Sequence, residues 1–412
     1  MKVTMVIPSY WTRESAAGWK EGDAVYDHPT PLDSEGTLLR AIESAGILED
    51  KDFQLVIIAV ANAEDIEPRV EKKVAGIIKS ASAARGIETL LFGPSHLRQI
   101  HDLLIREDKK EDINLLELRG YSNVRNLCMF IPHILDSEVA ILIDDDEVFE
   151  DPKFMAKAKE FIGRSKEGRP VNAVAGYYLQ PDGGYRVRAT PHPWMKHWDQ
   201  LEKMNEGFDR FIGTGPRLKE TPFVFGGNMV IHQNLFTVPF DPWVPRGEDI
   251  DFLINAKMFG FTFFLDNQLS IKHLPPPKTH PTWKRLREDI RRFIYERAKI
   301  EHQKDTEGMT KVHPEDFDPY PGCFLKRDLD EKIEKACRLL SAEYLARGDK
   351  QSSEETLKNI AIAATETMSK DDPFQRLGEL KKRWEGLLKY TDKTEVRSRI
   401  REIIEGRDIT VD

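Results

Sequence analysis

Short apolar runs alternate with helical patterns through the first 150 residues, and this alternation restricts the fold more than any other feature of the chain. "VTMVIPSY", "FQLVIIAVA", "IETLLFG", "INLLELRG" and "VAILIDDD" each read as a buried strand, the first ending at Pro8. Between them, "TLLRAIESAGIL" puts Leu38, Ile42 and Ala45 on one helical face. Residues 67–85 and "SHLRQIHDLLIRE" repeat that spacing, and "SNVRNLCMFIPHIL" opens a helix with Ser122 or Asn123 as its N-cap. Strands buried on both faces and separated by helices imply an α/β fold, Rossmann-like, with a mostly parallel central sheet. Such sheets bind ligands outside the carboxyl ends of their strands.

The texture changes twice downstream. "VNAVAGYYL", "FVFGGNMVIH" and "GFTFFLDNQLSIKH" read as strands among aromatic, Gly- and Pro-rich loops. From about 283 the chain is helical and highly charged. "TWKRLREDIRRFIYERAKIEHQ" lines up Leu286, Ile290, Phe293 and Ile294, with Arg285, Arg287, Arg291 and Arg292 around them. Residues 329–347, 353–369, 373–389 and 393–405 read as four further helices, and "EGMTKVHPEDFDPYPGC" as a linker or strap. A chain of 412 residues exceeds one core. The expected division is a first domain over 1–280 and an α-helical C-terminal domain over 281–412.

The net charge of −9 argues against a nucleic-acid partner. No run approaches the roughly 18 to 20 apolar residues of a transmembrane segment. The start of the chain lacks a signal-peptide core, and Cys128, Cys323 and Cys337 lack metal or redox spacing. A cytoplasmic protein is expected. The basic residues of 284–299 leave peripheral attachment to a membrane open beside a solvated helix face.

Four local patterns bear chemistry. "AILIDDDEVFEDP" ends a buried strand in Asp144, Asp145, Asp146 and Glu147, four acids that repel one another. Asp-x-Asp at a strand end presents oxygens to a hard cation such as Mg²⁺ or Mn²⁺; a solvated acidic turn is the plain alternative. "PRGEDIDF" places Glu248, Asp249 and Asp251 after Gly247 at a helix start. A carboxylate there can accept a proton from a hydroxyl, or merely favour the helix dipole. "SIKHLPPP" closes a strand on His273, an imidazole suited to Mn²⁺ or to a structural role. "FGGNMVIH" sets Gly226–Gly227 before a strand, for close approach to a ligand or for a packing turn.

These patterns, in this order with "VIPSY" and "GYSNVRNL", resemble a GT-A fold glycosyltransferase, most like family 2 and related inverting enzymes, over about residues 1–275. The resemblance implies a GT-A catalytic domain with a helical C-terminal extension and a metal-dependent transferase. Its donor would be a UDP- or GDP-type nucleoside-diphosphate sugar, and its acceptor a hydroxyl on a sugar or small molecule. The metal, Mn²⁺ or Mg²⁺, would rest on Asp146 and His273, with Asp144 as the partner nearer the ribose. Pro8, Ser9, Tyr10, Asn62, Arg125, Asn126, Asp144 and Asp145 would form the donor pocket. Asp249 would be the base, with Glu248 beside it. Gly226 and Gly227 would line the acceptor side, where Asp251 and Trp243 also fall; Trp194, Trp198 and Trp243 could stack on sugars or pack in the core.

Two departures from the family pattern stand out. The turn after the second strand, "VANAEDIE", lacks the usual Asp-rich base reader. The stretch "WTRESAAGWKEGDAVYDHPTPLDSEG" is long, and reads as a lid, part of the acceptor site or a surface insertion. Rival readings are a retaining GT-A synthase with a glycerate-type acceptor and a non-catalytic carbohydrate-binding protein. A sugar-phosphate nucleotidyltransferase is disfavoured because "PSYWTRESAAGW" lacks the needed glycine spacing. Homo-oligomerisation through the C-terminal helices is open.

Overall fold

The computed structural model describes residues 1–82, 84, 86–276, 280–367 and 372–406. Among the described residues the main sheet has ten strands, seven of them five residues or longer: β1 (Val3–Thr12), β2 (Gln54–Ala61), β3 (Glu88–Phe92), β4 (Val139–Ile143), β5 (Ala173–Leu179), β6 (Asn228–His232) and β7 (Phe263–His273). Their order is β7-β5-β6-β4-β1-β2-β3, with the short strand Leu218–Glu220 on the outer edge of β7. The pairs β3–β2, β2–β1, β1–β4 and β5–β7 are parallel, while β6 runs antiparallel to both β4 and β5. The expected α/β class with a mostly parallel central sheet is therefore present.

Helices cover both faces. One carries α1 (Leu38–Ser44), α2 (Glu67–Ser80) and α5 (Phe154–Phe161), whose apolar residues join Val3, Met5, Ile7 and Ile141 in one cluster. The other carries α3 (Pro94–Arg106), α4 (Tyr121–Ile134) and α7 (Glu248–Met258), clustered with Val6, Leu142 and Met229. α6 (Gln200–Phe211) lies beyond β5 in the chain, and its Phe208 joins that second cluster. α8 (Thr282–Glu301), α9 (Leu329–Ala346), α10 (Lys350–Thr367), α11 (Pro373–Thr391) and α12 (Thr394–Ile404) form the helical C-terminal part. That part shares the second cluster: Trp384 is fully buried and donates its indole N–H to the Phe236 carbonyl at 2.8 Å.

Several boundaries differ from expectation. β1 continues through Pro8 to Thr12. Proline is tolerated because the β1–β4 register ends at Val6, so no ladder bond on that side needs the missing N–H, while Pro8 still faces Ile58 of β2. "INLLELRG" is not a strand. A 3-10 helix covers Lys110–Leu115, and Leu115, Leu116 and Leu118 bury themselves beside α3, where His101 Nε2 meets the Leu116 carbonyl at 2.8 Å. "FVFGGNMVIH" is extended in the sheet only from Asn228. The N-cap of α4 is Gly120; Ser122 lies inside the helix and donates to the Val244 carbonyl at 3.1 Å. α2 ends at Ser80, and the expected continuation at 83 and 85 lies outside the described residues, as do 368–369 after α10 and the chain end 407–412.

Candidate functional site

β4 leaves the sheet at Ile143, and the acids follow at once. The Asp144 N–H donates to Glu147 Oε2 at 3.1 Å, which tightens the turn. Glu147–Val148 then pairs antiparallel with the end of β7, setting Glu147 opposite His273. This register gathers the expected metal residues. Oxygens of Asp144, Asp146 and Glu147 lie within 4.8 Å of one another, and His273 Nε2 is 3.4 Å from Asp146 Oδ2. The His273 ring stacks on Tyr178 at 4.8 Å, and the Tyr178 hydroxyl accepts the Gly227 N–H at 2.7 Å. Gly227 has no room for a side chain, because a Cβ would meet the Asp144 and Glu147 carboxylates. Burial first, then Asp144 and Asp146, push the Glu147 carboxyl well above the usual range. Its Oε1 has no hydrogen-bond partner. Glu147 was not anticipated as a site residue, although it stands next to the Asp triplet in sequence.

Asp145 points to a different partner. It accepts the Ser9 hydroxyl at 2.6 Å, and Ser9 in turn accepts the Trp11 indole N–H at 2.9 Å. Burial, then Asp146, raise its carboxyl well above the usual range. The pair Ser9–Asp145 thus ties β1 to the acidic turn.

The second pattern arrives from α7. Gly247 caps the helix in the left-handed region at φ +73°, and a Cβ there would collide with the Arg292 guanidinium. Glu248 and Asp249 follow. The buried Arg125 of α4 joins the two acidic groups: Nη2 donates to Asp144 Oδ1 at 2.7 Å and Nε to Glu248 Oε1 at 3.2 Å. Asp249 Oδ2 accepts the Gly226 N–H at 3.0 Å. A side chain at Gly226 would press on Arg125 Nη2 at 2.9 Å. Burial, then Asp249, push Glu248 up to about 7. Burial also raises Asp249, against the pull of Arg292 and Arg125.

A cleft of about 530 Å³ runs over these groups. Of the expected residues, Tyr10, Arg125, Asp144, Asp145, Asp146, Gly226, Glu248, Asp249 and His273 line it. The others stand elsewhere. Pro8 is inside β1, and Asn62 is buried with its amide donating to Thr12 Oγ1 at 2.9 Å. Asn126 clamps the Phe240 backbone at 2.8 and 3.0 Å. Asp251 is turned away, sealed against Lys299 Nζ at 2.6 Å, because two residues along a helix is about 200° around it. Trp243 is 61% exposed outside the cleft, under the Arg376 guanidinium at 3.9 Å. Trp198 packs in the core against Phe324 at 4.8 Å.

Other lining groups come from distant segments. The long stretch after β1 is held down by Arg13, paired with Asp23 and Asp65, and it sends Asp27 and His28 into the cleft. It therefore belongs to the site and is not a surface insertion. Its Tyr26 packs on Tyr10 and Tyr121 with ring centroids 4.5 and 5.0 Å away. From the other side α8 supplies Asp289 and Arg292, and the strap before α9 supplies Tyr320. Arg292 lies about 200° around the helix from Ile290, off the apolar stripe, so the periodicity carried no signal for it. In the basic segment 284–299, Arg287, Arg297 and Lys299 are paired with Glu355, Asp330 and Asp251. No helix among the described residues is long and apolar enough to cross a membrane.

No family model and no curated protein sequence matches the chain. Among solved structures, the mannosyltransferase PcManGT of Pyrobaculum calidifontis, in complex with GDP-Man and Mn²⁺, is similar at 12% identity, 96% of this chain, 87% of that chain and TM-score 0.46. GalNAc-T7 with UDP, GalNAc and Mn²⁺ is similar at 12% identity, 88% of this chain, 57% of that one and TM-score 0.38. A197 from STIV shows 12% identity over 68% of this chain and 98% of that one, with TM-score 0.29. At these scores the likenesses carry no weight for function.

Proposed function

We propose that this protein is a GT-A-type, divalent-metal-dependent glycosyltransferase. In this reading it moves a sugar from a nucleoside-diphosphate sugar to an acceptor hydroxyl with inversion, and Asp249 is the base. The observation that carries the reading is one cleft, at the carboxyl end of β4, lined by Asp144, Asp146 and His273 and by a carboxylate pair at a helix start, with the buried Glu147 carboxylate within 4.8 Å of the two aspartates' oxygens. Carboxylates repel a diphosphate unless a cation stands between them. Asp144, Asp146 and Glu147 offer hard oxygen donors and His273 a nitrogen, the donor set of a hard or borderline divalent cation. A cation bound there acts as a Lewis acid for the departing nucleoside diphosphate.

The chain's own groups do the rest. Arg125 fixes Asp144 and Glu248 relative to each other, so the donor-side acid and the base-side acid keep one spacing. The Gly226 N–H orients Asp249. Asp249 takes the proton as the acceptor oxygen forms its bond to the anomeric carbon. The bond from that carbon to the diphosphate oxygen breaks on the opposite face, and its electron pair leaves with the diphosphate. Glu248, held at about 7, shares protons with Asp249 near neutrality, which keeps a basic carboxylate available.

The test is a melting-temperature panel of UDP-, GDP- and dTDP-sugars, each with and without Mn²⁺. A metal-dependent rise with one of these donors is expected. No shift with any of them at millimolar concentration would overturn the reading. The anomeric configuration of the product then tests Asp249 as base: a retained anomer would remove it from that role.

A further inference from the structure

Half of the cleft is left unused by the donor chemistry. Past Asp249, away from the acidic triad, a polar ladder continues. The Arg292 guanidinium lies under Gly247 and donates from Nη2 to the Tyr320 hydroxyl at 2.9 Å. Gln200 Nε2 donates to that same hydroxyl at 3.2 Å. Arg246 stands beside it, bonded through Nε to Asp27 at 2.9 Å and through Nη1 to Asp289 at 2.5 Å. The apolar wall of the same cavity is Phe208, Phe223 and Phe225, with ring centroids 5.2 to 5.8 Å apart.

We propose that this half is the acceptor subsite and that its occupant is an uncharged carbohydrate; the inference rests on the glycosyltransferase reading above. Charge decides against the alternatives. Asp27 and Asp289 are both bonded to Arg246, Arg292 is bonded to Tyr320, and the exposed Arg188 at the rim is paired with Asp182, so the wall leaves no unengaged cation with which to select a phosphate or carboxylate. The groups are nonetheless dense in both donors and acceptors, since a guanidinium has five N–H groups and a carboxylate about four lone-pair sites. A polyol supplies both partners, and the C–H face of a sugar ring covers the phenylalanine wall. A long-chain alcohol would leave the unused donors and lone pairs of these groups, Arg292 Nε among them, without partners, which a site built for hydroxyls rejects. Asp289, Arg292 and Tyr320 come from the helical C-terminal part, which therefore shares acceptor choice with Asp27, Gln200, Arg246 and the phenylalanine wall.

The experiment uses the full chain, Mn²⁺, and UDP-glucose, UDP-galactose and GDP-mannose as donors. Acceptors are neutral mono- and disaccharides, sugar phosphates and long-chain alcohols. Neutral saccharides are expected to give transfer where the other two classes do not. Tyr320→Phe and Gln200→Ala should each raise the acceptor KM about tenfold, the loss of roughly one hydrogen bond. The donor KM and the Mn²⁺-dependent melting shift should stay unchanged, which a merely structural role would not spare. Preference for a sugar phosphate or a long-chain alcohol would overturn the inference, as would an unchanged acceptor KM in both variants. Absence of any donor shift in the unmodified protein would instead sink the parent reading, and this subsite with it.

Discussion

At the end of β4, Asp144, Asp146 and Glu147 converge with one guanidinium, Arg125, and one imidazole, His273, beside them. Under α7, Asp241 and Asp251 converge on the fully buried ammonium of Lys299, at 3.5 and 2.6 Å. In that second cluster Asn255 bonds to Asp251 at 2.6 Å and Tyr295 to Asp241 at 2.8 Å. Burial works against the Lys299 charge, but Asp251 and Asp241 outweigh it and hold the ammonium above its ordinary value. One cluster is complete within the chain, and the other leaves Glu147 Oε1 without a partner. Buried carboxylates are stable only when something balances them. A cluster that balances its own charge is architecture; on the reading proposed above, the one that does not is where the cation binds.

The most severe test of that contrast is Asp146→Ala. Transfer should fall by about a thousandfold, and the Mn²⁺-dependent melting shift should vanish. A surviving shift would break the distinction between the clusters. Asp249→Asn comes next, since the amide oxygen can still accept the Gly226 N–H while basicity is gone. A fall in kcat of about a hundredfold or more is expected, with donor-induced melting shifts retained. The rate of the unmodified protein should decline as pH drops through about 7, because a protonated Glu248 no longer lends its negative charge to the basicity of Asp249. In Glu248→Gln that limb should move to lower pH.

Lys299→Met probes the closed cluster. Removing one partner of a buried ion pair strands the other, at a cost of about 3–5 kcal/mol. Denaturant melts should show that loss, with the Mn²⁺ response intact in the folded fraction. Adding Asp251→Asn should recover part of the stability. If Lys299→Met instead abolished metal binding at full stability, the closed cluster would be part of the site.

What could be read from sequence follows the range of each signal. The runs that became β1, β2 and β4 were visible because a strand buried on both faces must be apolar throughout, and the edge strand β3 showed through its short run of leucines. "INLLELRG" misled, since its leucines are buried by α3 without any neighbouring strand. Asp144, Asp146, Asp249 and His273 stood out because acids at a strand end, acids at a helix start and a His closing a strand are local patterns. The structure brings those four into one cleft. Asp251 could have been set aside from helix periodicity alone. Asp27, His28 and Tyr320 could not have been found, because they reach the cleft from irregular segments whose path depends on packing. Arg292 was obscured by the ordinary expectation that arginines flanking an apolar stripe face water, and it is 2% exposed.

The smallest effect expected concerns Glu296, which lies under the same helix and fits neither cluster. It is fully buried, its nearest cation is Arg292 Nε at 3.8 Å, and neither carboxyl oxygen has a hydrogen-bond partner. Burial, opposed by Arg292, pushes its carboxyl up to about 8. A folded-state value above the unfolded one favours the native state at low pH. That contribution is complete below about 4.5 and is lost as pH rises toward 8. Glu296→Gln removes the titration while keeping the shape. The melting temperature of the variant relative to the unmodified protein should therefore climb by a few °C between pH 5 and pH 8. A difference that stays flat across that range would mean Glu296 is ionised in the native protein, and Arg292 would then be its permanent counter-ion rather than a group free to face the cleft.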